Sequence, residues 1–72
     1  MNLYLVKRTT RVGYDEYDSF VVAADHDDDS KLVANNHGWG DAGYQADLKC
    51  ELIGTAKPFT KRGVILGSYN AG

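Results

Sequence analysis

Between Asp25 and Asn36 the chain reads DHDDDSKLVANN, the one stretch with the marks of a helix, and it divides the remainder into two strand-rich halves. A run of short acids ahead of Leu32, Val33 and Ala34 offers side-chain acceptors to the orphan N–H groups of a first turn. Its negative charge also faces the positive end of the helix dipole. Either Asp25 or Asp27 can serve as the N-cap. Asn35, Asn36, His37 and Gly38 form the stop, because Asn and Gly tolerate the left-handed conformation beyond a last turn. About two turns remain, too few to be stable alone. Packing of Leu32, Val33 and Ala34 onto a flat surface must therefore hold the helix, and the flanking sequence supplies that surface as a sheet.

The first strand is Asn2 to Arg8, where Leu3 and Leu5 share one face and Tyr4 and Val6 the other. Thr9 to Asp18 is polar, contains Gly13 and reads as a long hairpin connection whose ends can extend the strands. Ser19 to Ala24, SFVVAA, gives the second strand, antiparallel to the first. After the helix, His37 to Gln45 is a glycine-rich loop carrying Trp39 and Tyr44. Asp47 to Thr55 alternates, with Leu48, Cys50 and Leu52 toward the core and Lys49 and Glu51 toward solvent, as the third strand. Ala56 to Arg62 holds the single proline and connects to a fourth strand, Gly63 to Tyr69. The sequence thus predicts one small α+β domain over residues 1–72, in ββαββ order, with a four-stranded antiparallel sheet carrying one short helix on one face. The other face stays open. If Leu3 and Leu5 pack under the helix, Tyr4 and Val6 lie on that open face, where an apolar patch marks a contact surface.

With 72 residues the chain has room for one modest core. A formal charge of −2 gives no electrostatic ground for expecting nucleic acid as a partner. A single cysteine, Cys50, cannot form an internal disulfide and points to a reducing, cytoplasmic setting. Met1 to Val6 is too short for the apolar core of a signal peptide, and no segment approaches the length of a membrane span.

Chemistry-bearing motifs fail on their surroundings. Asp25, Asp27 and Asp29 stand at the spacing that opens a calcium loop, but Ser30 replaces the turn glycine and Asn36 the bidentate glutamate, so a charged helix start is the better reading. His26 and His37 lack a third clear ligand for zinc. Cys50 sits in an alternating strand and reads as an unreactive, buried thiol. Gly38, Gly40 and Gly43 imitate a dinucleotide loop without the strand before it or the helix after it. No catalytic group, metal site or cofactor is therefore expected, and the chain reads as non-enzymatic.

Surface features suggest binding instead. Lys7, Arg8 and Arg11 lie near Tyr14 and Tyr17 in the first connection, a mixture in which binding energy tends to concentrate. Asp15, Glu16 and Asp18 among them would repel a phosphate backbone, which favours a protein partner over nucleic acid. The alternative is a polar hairpin with its own ion pairs. Tyr4 on the open face and Trp39, which forms a second candidate with Tyr44, complete the contact residues, although a plug over the sheet is the favoured reading of Trp39 and Tyr44. A homo-oligomer using the fourth or first strand as its edge is a further possibility.

The opening LYLVKRTTRVGYDEYDSFVVAA and the ending LIGTAKPFTKRGVILGSYNAG resemble a family of small bacteriophage proteins of unknown function. The middle departs from that family, whose helix start is rich in glutamate where this chain has aspartate. The resemblance implies a viral protein made in the cytoplasm of a bacterial host. Together with size and the absence of catalytic groups, it leads to the expectation of a protein that binds and modulates, most sharply inhibits, a host protein, for example a defence system such as CRISPR-Cas. The alternative is a phage accessory protein that binds a small ligand, nucleotide or nucleic acid.

Overall fold

The computed structural model of the chain describes residues 1–9, 16–39 and 48–70. Its elements are β1 (Asn2–Arg8), β2 (Glu16–Ala24), α1 (Asp27–Ala34) followed by a single π-helical turn (Asn35–Trp39), β3 (Leu48–Thr55) and β4 (Gly63–Asn70). All strand pairings are antiparallel, in the spatial order β3-β1-β2-β4. The ββαββ architecture with one short helix is the one the sequence predicts. β1 lies in the middle of the sheet, so it is not an available edge; the edges are β3 and β4.

Cross-strand register assigns each side chain to a face, because neighbours across an antiparallel ladder point the same way. Tyr4 lies opposite Val22 and Leu52, and Val6 opposite Phe20 and Cys50. These residues form the helix-covered face. Tyr4, Val6, Phe20, Val22, Ala24, Ala34 and Leu48 make one buried cluster, with Tyr17, Val33, Cys50 and Val64 packed against it. This inverts the expected facing of β1. Tyr4 and Val6 are core residues, while Leu3 and Leu5 stand half-buried on the other side. Both faces of β1 are apolar, so its alternation carries no sign. The residues opposite decide: Phe20 and Val22 are the bulky positions of β2, and whatever pairs with them goes inside.

The helix packs through small residues. Ser30 and Ala34, one turn apart, are fully buried, whereas Leu32 is exposed. Short side chains let the helix axis approach the sheet closely, and Leu32 falls on the outer flank. Ser30 is satisfied by donating to the carbonyl of Asp27 at 2.6 Å, and its hydroxyl lies 3.0 Å from the Cys50 thiol. The cap differs from expectation too. His26 occupies the N-cap with extended backbone and makes no side-chain cap bond, while Asp27 accepts from the N–H of Asp28 at 2.7 Å. Neither Asp25 nor Asp27 is the N-cap; Asp27, Asp28 and Asp29 in the first turn supply the favourable charge. At the other end Asn35 keeps right-handed helical angles and the chain winds on through the π-turn instead of stopping.

That wider turn brings Gly38 against Phe20, whose ring fills the place a Cβ would need. Gly67 of β4 closes from the sheet side, where a Cβ would sit 2.9 Å from the ring. Tyr17, His37 and Tyr69 complete an aromatic group, with Tyr17 centred 4.7 Å from Phe20 and 4.9 Å from Tyr69. His37, exposed on its outer side, meets Phe20 edge-on at 5.4 Å.

Candidate interaction surface

The second sheet face carries no packed element among the described residues. Register lays it out in rows. Glu51, Leu5, Val21 and Leu66 run across the middle of all four strands. Toward one end follow Lys49, Lys7, Ser19 and Ser68; toward the other, Gly54, Leu3, Ala23 and Gly63. The middle row is apolar from Leu5 to the β4 edge and becomes charged only at Glu51. Leu66 is 67% exposed, and Ile65 beside it 53%.

Two shallow grooves join on this face. One of about 350 Å³ is floored by Leu5, Val21, Leu66 and Gly67, with Ser19 and Ser68 at its rim. The other continues past Ser19 and Ser68 to Lys7, Arg8 and Asp18. Asp18 is the extra residue of a bulge between Tyr17 and Ser19, and Ser19 donates to its carboxylate at 2.9 Å. A second bulge sets Ile65 between the partners of Val21 and Val22. Bulges twist a strand and re-aim its side chains. Here they leave an apolar floor with a mixed-charge mouth.

Of the expected contact residues, Lys7 is exposed on the open face and Arg8 borders the same groove mouth. Tyr17 belongs to the aromatic group under the helix side. Tyr4 is only 7% exposed, which withdraws it from the surface; its hydroxyl accepts from the Asn2 amide at 3.3 Å. Arg11 and Tyr14 lie outside the described residues, as do Tyr44 and most of the glycine motif that starts at Gly38. Trp39 ends the π-turn. Cys50 is half-buried beside Ser30. No cluster of three or more His, Cys, Asp or Glu side chains with metal-binding spacing occurs among the described residues, and no helix is long and apolar enough to cross a membrane.

Sequence reasoning missed Leu5, Val21 and Leu66, because alternation cannot say which of two apolar faces is covered. It also missed Phe59. That side chain is fully exposed and its backbone is left-handed, with φ of 68°. A bulky residue rarely adopts this conformation. The turn is closed by the N–H of Thr60 donating to the carbonyl of Lys57 at 3.2 Å, with Pro58 and Phe59 at its centre. Pro is favoured at the first central position of such a turn and Gly at the second. The segment is tied down on both sides of Phe59. The Ala56 N–H donates to the Met1 carbonyl at 2.9 Å, and the Arg62 guanidinium makes a two-pronged contact with Asp29 of the helix at 2.6 and 2.7 Å. The paired guanidinium hydrogen bonds hold the Asp29 carboxyl below its ordinary value. The proline signal for a turn was legible, but nothing in AKPFTKR distinguishes a solvent-facing Phe from a buried one.

No protein-family model matches the chain, and neither a curated protein nor a solved structure does.

Proposed function

We propose that this chain is a non-enzymatic binding protein that docks a protein partner on its open sheet face. The observation that carries the reading is the Leu5–Val21–Leu66 row, an apolar strip on a ladder of bonded backbone, left without a covering element among the described residues. Exposed apolar surface on a small domain marks a contact site, and the polar rim formed by Lys7, Ser19 and Ser68 matches the anatomy of such interfaces. Phe59, held on an anchored turn at the opposite end of the sheet from Lys7, adds a rigid aromatic of the kind that concentrates binding energy.

The resemblance of both ends of the chain to small bacteriophage proteins supports a partner from a bacterial host. The sharper form of the proposal is therefore a phage protein acting in the host cytoplasm that blocks a host protein, with a defence system such as CRISPR-Cas as the leading target class. A short domain can block a larger machine by occupying its surface, which needs shape and anchors but no chemistry.

Capture of the tagged chain from host lysate, run beside Leu66→Glu, tests this. One host protein recovered in stoichiometric amount by the wild type and lost with Leu66→Glu is the expected result. Recovery of nucleic acid or a nucleotide, with affinity that falls steeply as salt rises, would replace the proposal with the accessory ligand-binding reading.

A further inference from the structure

We infer that two copies of this chain pair edge to edge through β3, antiparallel about a two-fold axis at Cys50. The inference uses the sheet edge and is independent of what docks on the open face.

β3 bonds to β1 on one side and to no strand on the other among the described residues, so its outer N–H and C=O groups form a template for another strand. Sheet edges are commonly protected by a bulge or by like charge. In β3 the bulge comes late: Leu3 pairs with Gly54 and Tyr4 with Leu52, which leaves Ile53 as the extra residue. Leu48 to Leu52 is thus a regular strand, and any pairing through Ile53 is disrupted.

Among the registers that pair several residues of Leu48 to Leu52, charge selects one. In a two-fold antiparallel pair with both faces continuous, the axis must pass through a residue. Centred on Lys49, the two lysines face each other; centred on Glu51, the two glutamates do. Like charges directly opposite are destabilising. Centred on Leu52, the pairing runs through the bulge. Centred on Cys50, Lys49 faces Glu51 of the second copy and Glu51 faces its Lys49, while Leu48 meets Leu52 twice. Leu52 is 60% exposed although it points to the helix-covered side, and this register gives it an apolar neighbour. A Lys and a Glu two residues apart on one face of an edge strand, which would be neutral decoration on a monomer, are self-complementary here. β4 offers no such selection. It contains no charged residue from Gly63 to Asn70, and the bulge at Ile65 interrupts it near its middle.

The axis stands perpendicular to the sheet, so the eight strands of the pair form one sheet, and its two open faces look the same way.

Sedimentation equilibrium of the full chain, with circular dichroism to verify folding, tests the inference through a charge swap. Lys49 and Glu51 are both exposed, so their exchange leaves the core intact. Wild type is expected to dimerise. Lys49→Glu and Glu51→Lys should each weaken the dimer by roughly tenfold or more, since each converts two attractive contacts into two repulsive ones. The double variant, with both exchanges, should recover affinity to within a few-fold of wild type. A wild-type chain that stays monomeric at about 100 μM, a range that weak association reaches, overturns the inference. So does a dimer indifferent to the single changes, or a double variant that fails to recover.

Discussion

The ring of Phe20 fills the space that a side chain on Gly38 would need, so the π-helical turn can cross the sheet only with glycine at that position. Alanine in a helical segment ordinarily gains about 1 kcal/mol over glycine. Gly38→Ala is expected to destabilise the domain instead, by about 1–3 kcal/mol, because Phe20 is fully buried and is confined from the other side by Gly67. Urea denaturation gives the sign. The loss should shrink in a Phe20→Leu background, and that coupling separates a steric clash from a backbone effect.

Tyr4 and Leu66 should respond in opposite ways. Tyr4→Ala removes a core side chain and is expected to lower stability by about 3–5 kcal/mol, the range for truncating a large buried aromatic. Leu66→Glu, on the open face, should leave the unfolding free energy within about 0.5 kcal/mol of wild type and abolish partner capture. Circular dichroism on the samples used for capture checks both outcomes.

Phe59→Gly relieves the left-handed strain of a bulky residue that makes no apolar burial in return. Stability is expected to rise by about 1 kcal/mol. If the turn contributes to the interface, partner affinity falls in the same variant. Thermal unfolding and a binding titration, run together, read the two effects.

The Asp29–Arg62 contact fixes a pH dependence. Hydrogen bonding from Arg62 holds the Asp29 carboxyl below its ordinary 3.8, so the ionised form is favoured in the folded state. The stabilisation is present above that value and is lost as the pH falls through the lower folded value. Arg62 is 51% exposed and Asp29 29%, and that solvent contact keeps the effect small. Arg62→Gln should therefore melt a few degrees below wild type at neutral pH, and the two melting temperatures should converge as the pH falls below 3.8.

The element order was readable because each strand has its own signal: β1 is found at Asn2–Arg8 as expected, and β4 extends one residue past Tyr69. β2 begins at Glu16 and not at Ser19, because pairing of Tyr17 with Tyr69 extends a polar stretch that has no strand character of its own. The face assignment was not readable. Leu3/Leu5 and Tyr4/Val6 are equally apolar sets, and only contact with Phe20 and Val22 tells them apart. For the same reason Leu32, an obvious core residue by type, lost its place to Ser30: closeness of helix to sheet is a property of the pair and not of either sequence. Of the expected contact residues, Lys7 and Arg8 border the exposed groove and Tyr4 does not.

The strand order β3-β1-β2-β4 also sets a sequence of events in time. β1 and β2 are neighbours in the chain, and each outer strand finds its only partner among described residues in that central hairpin. β3 and β4 each close a long loop onto opposite flanks of that hairpin, and such non-local steps are slow. The chain up to Trp39 contains the middle two strands of the sheet and the helix that covers it. The two outer edges of that hairpin stay unpaired until β3 and β4 reach them.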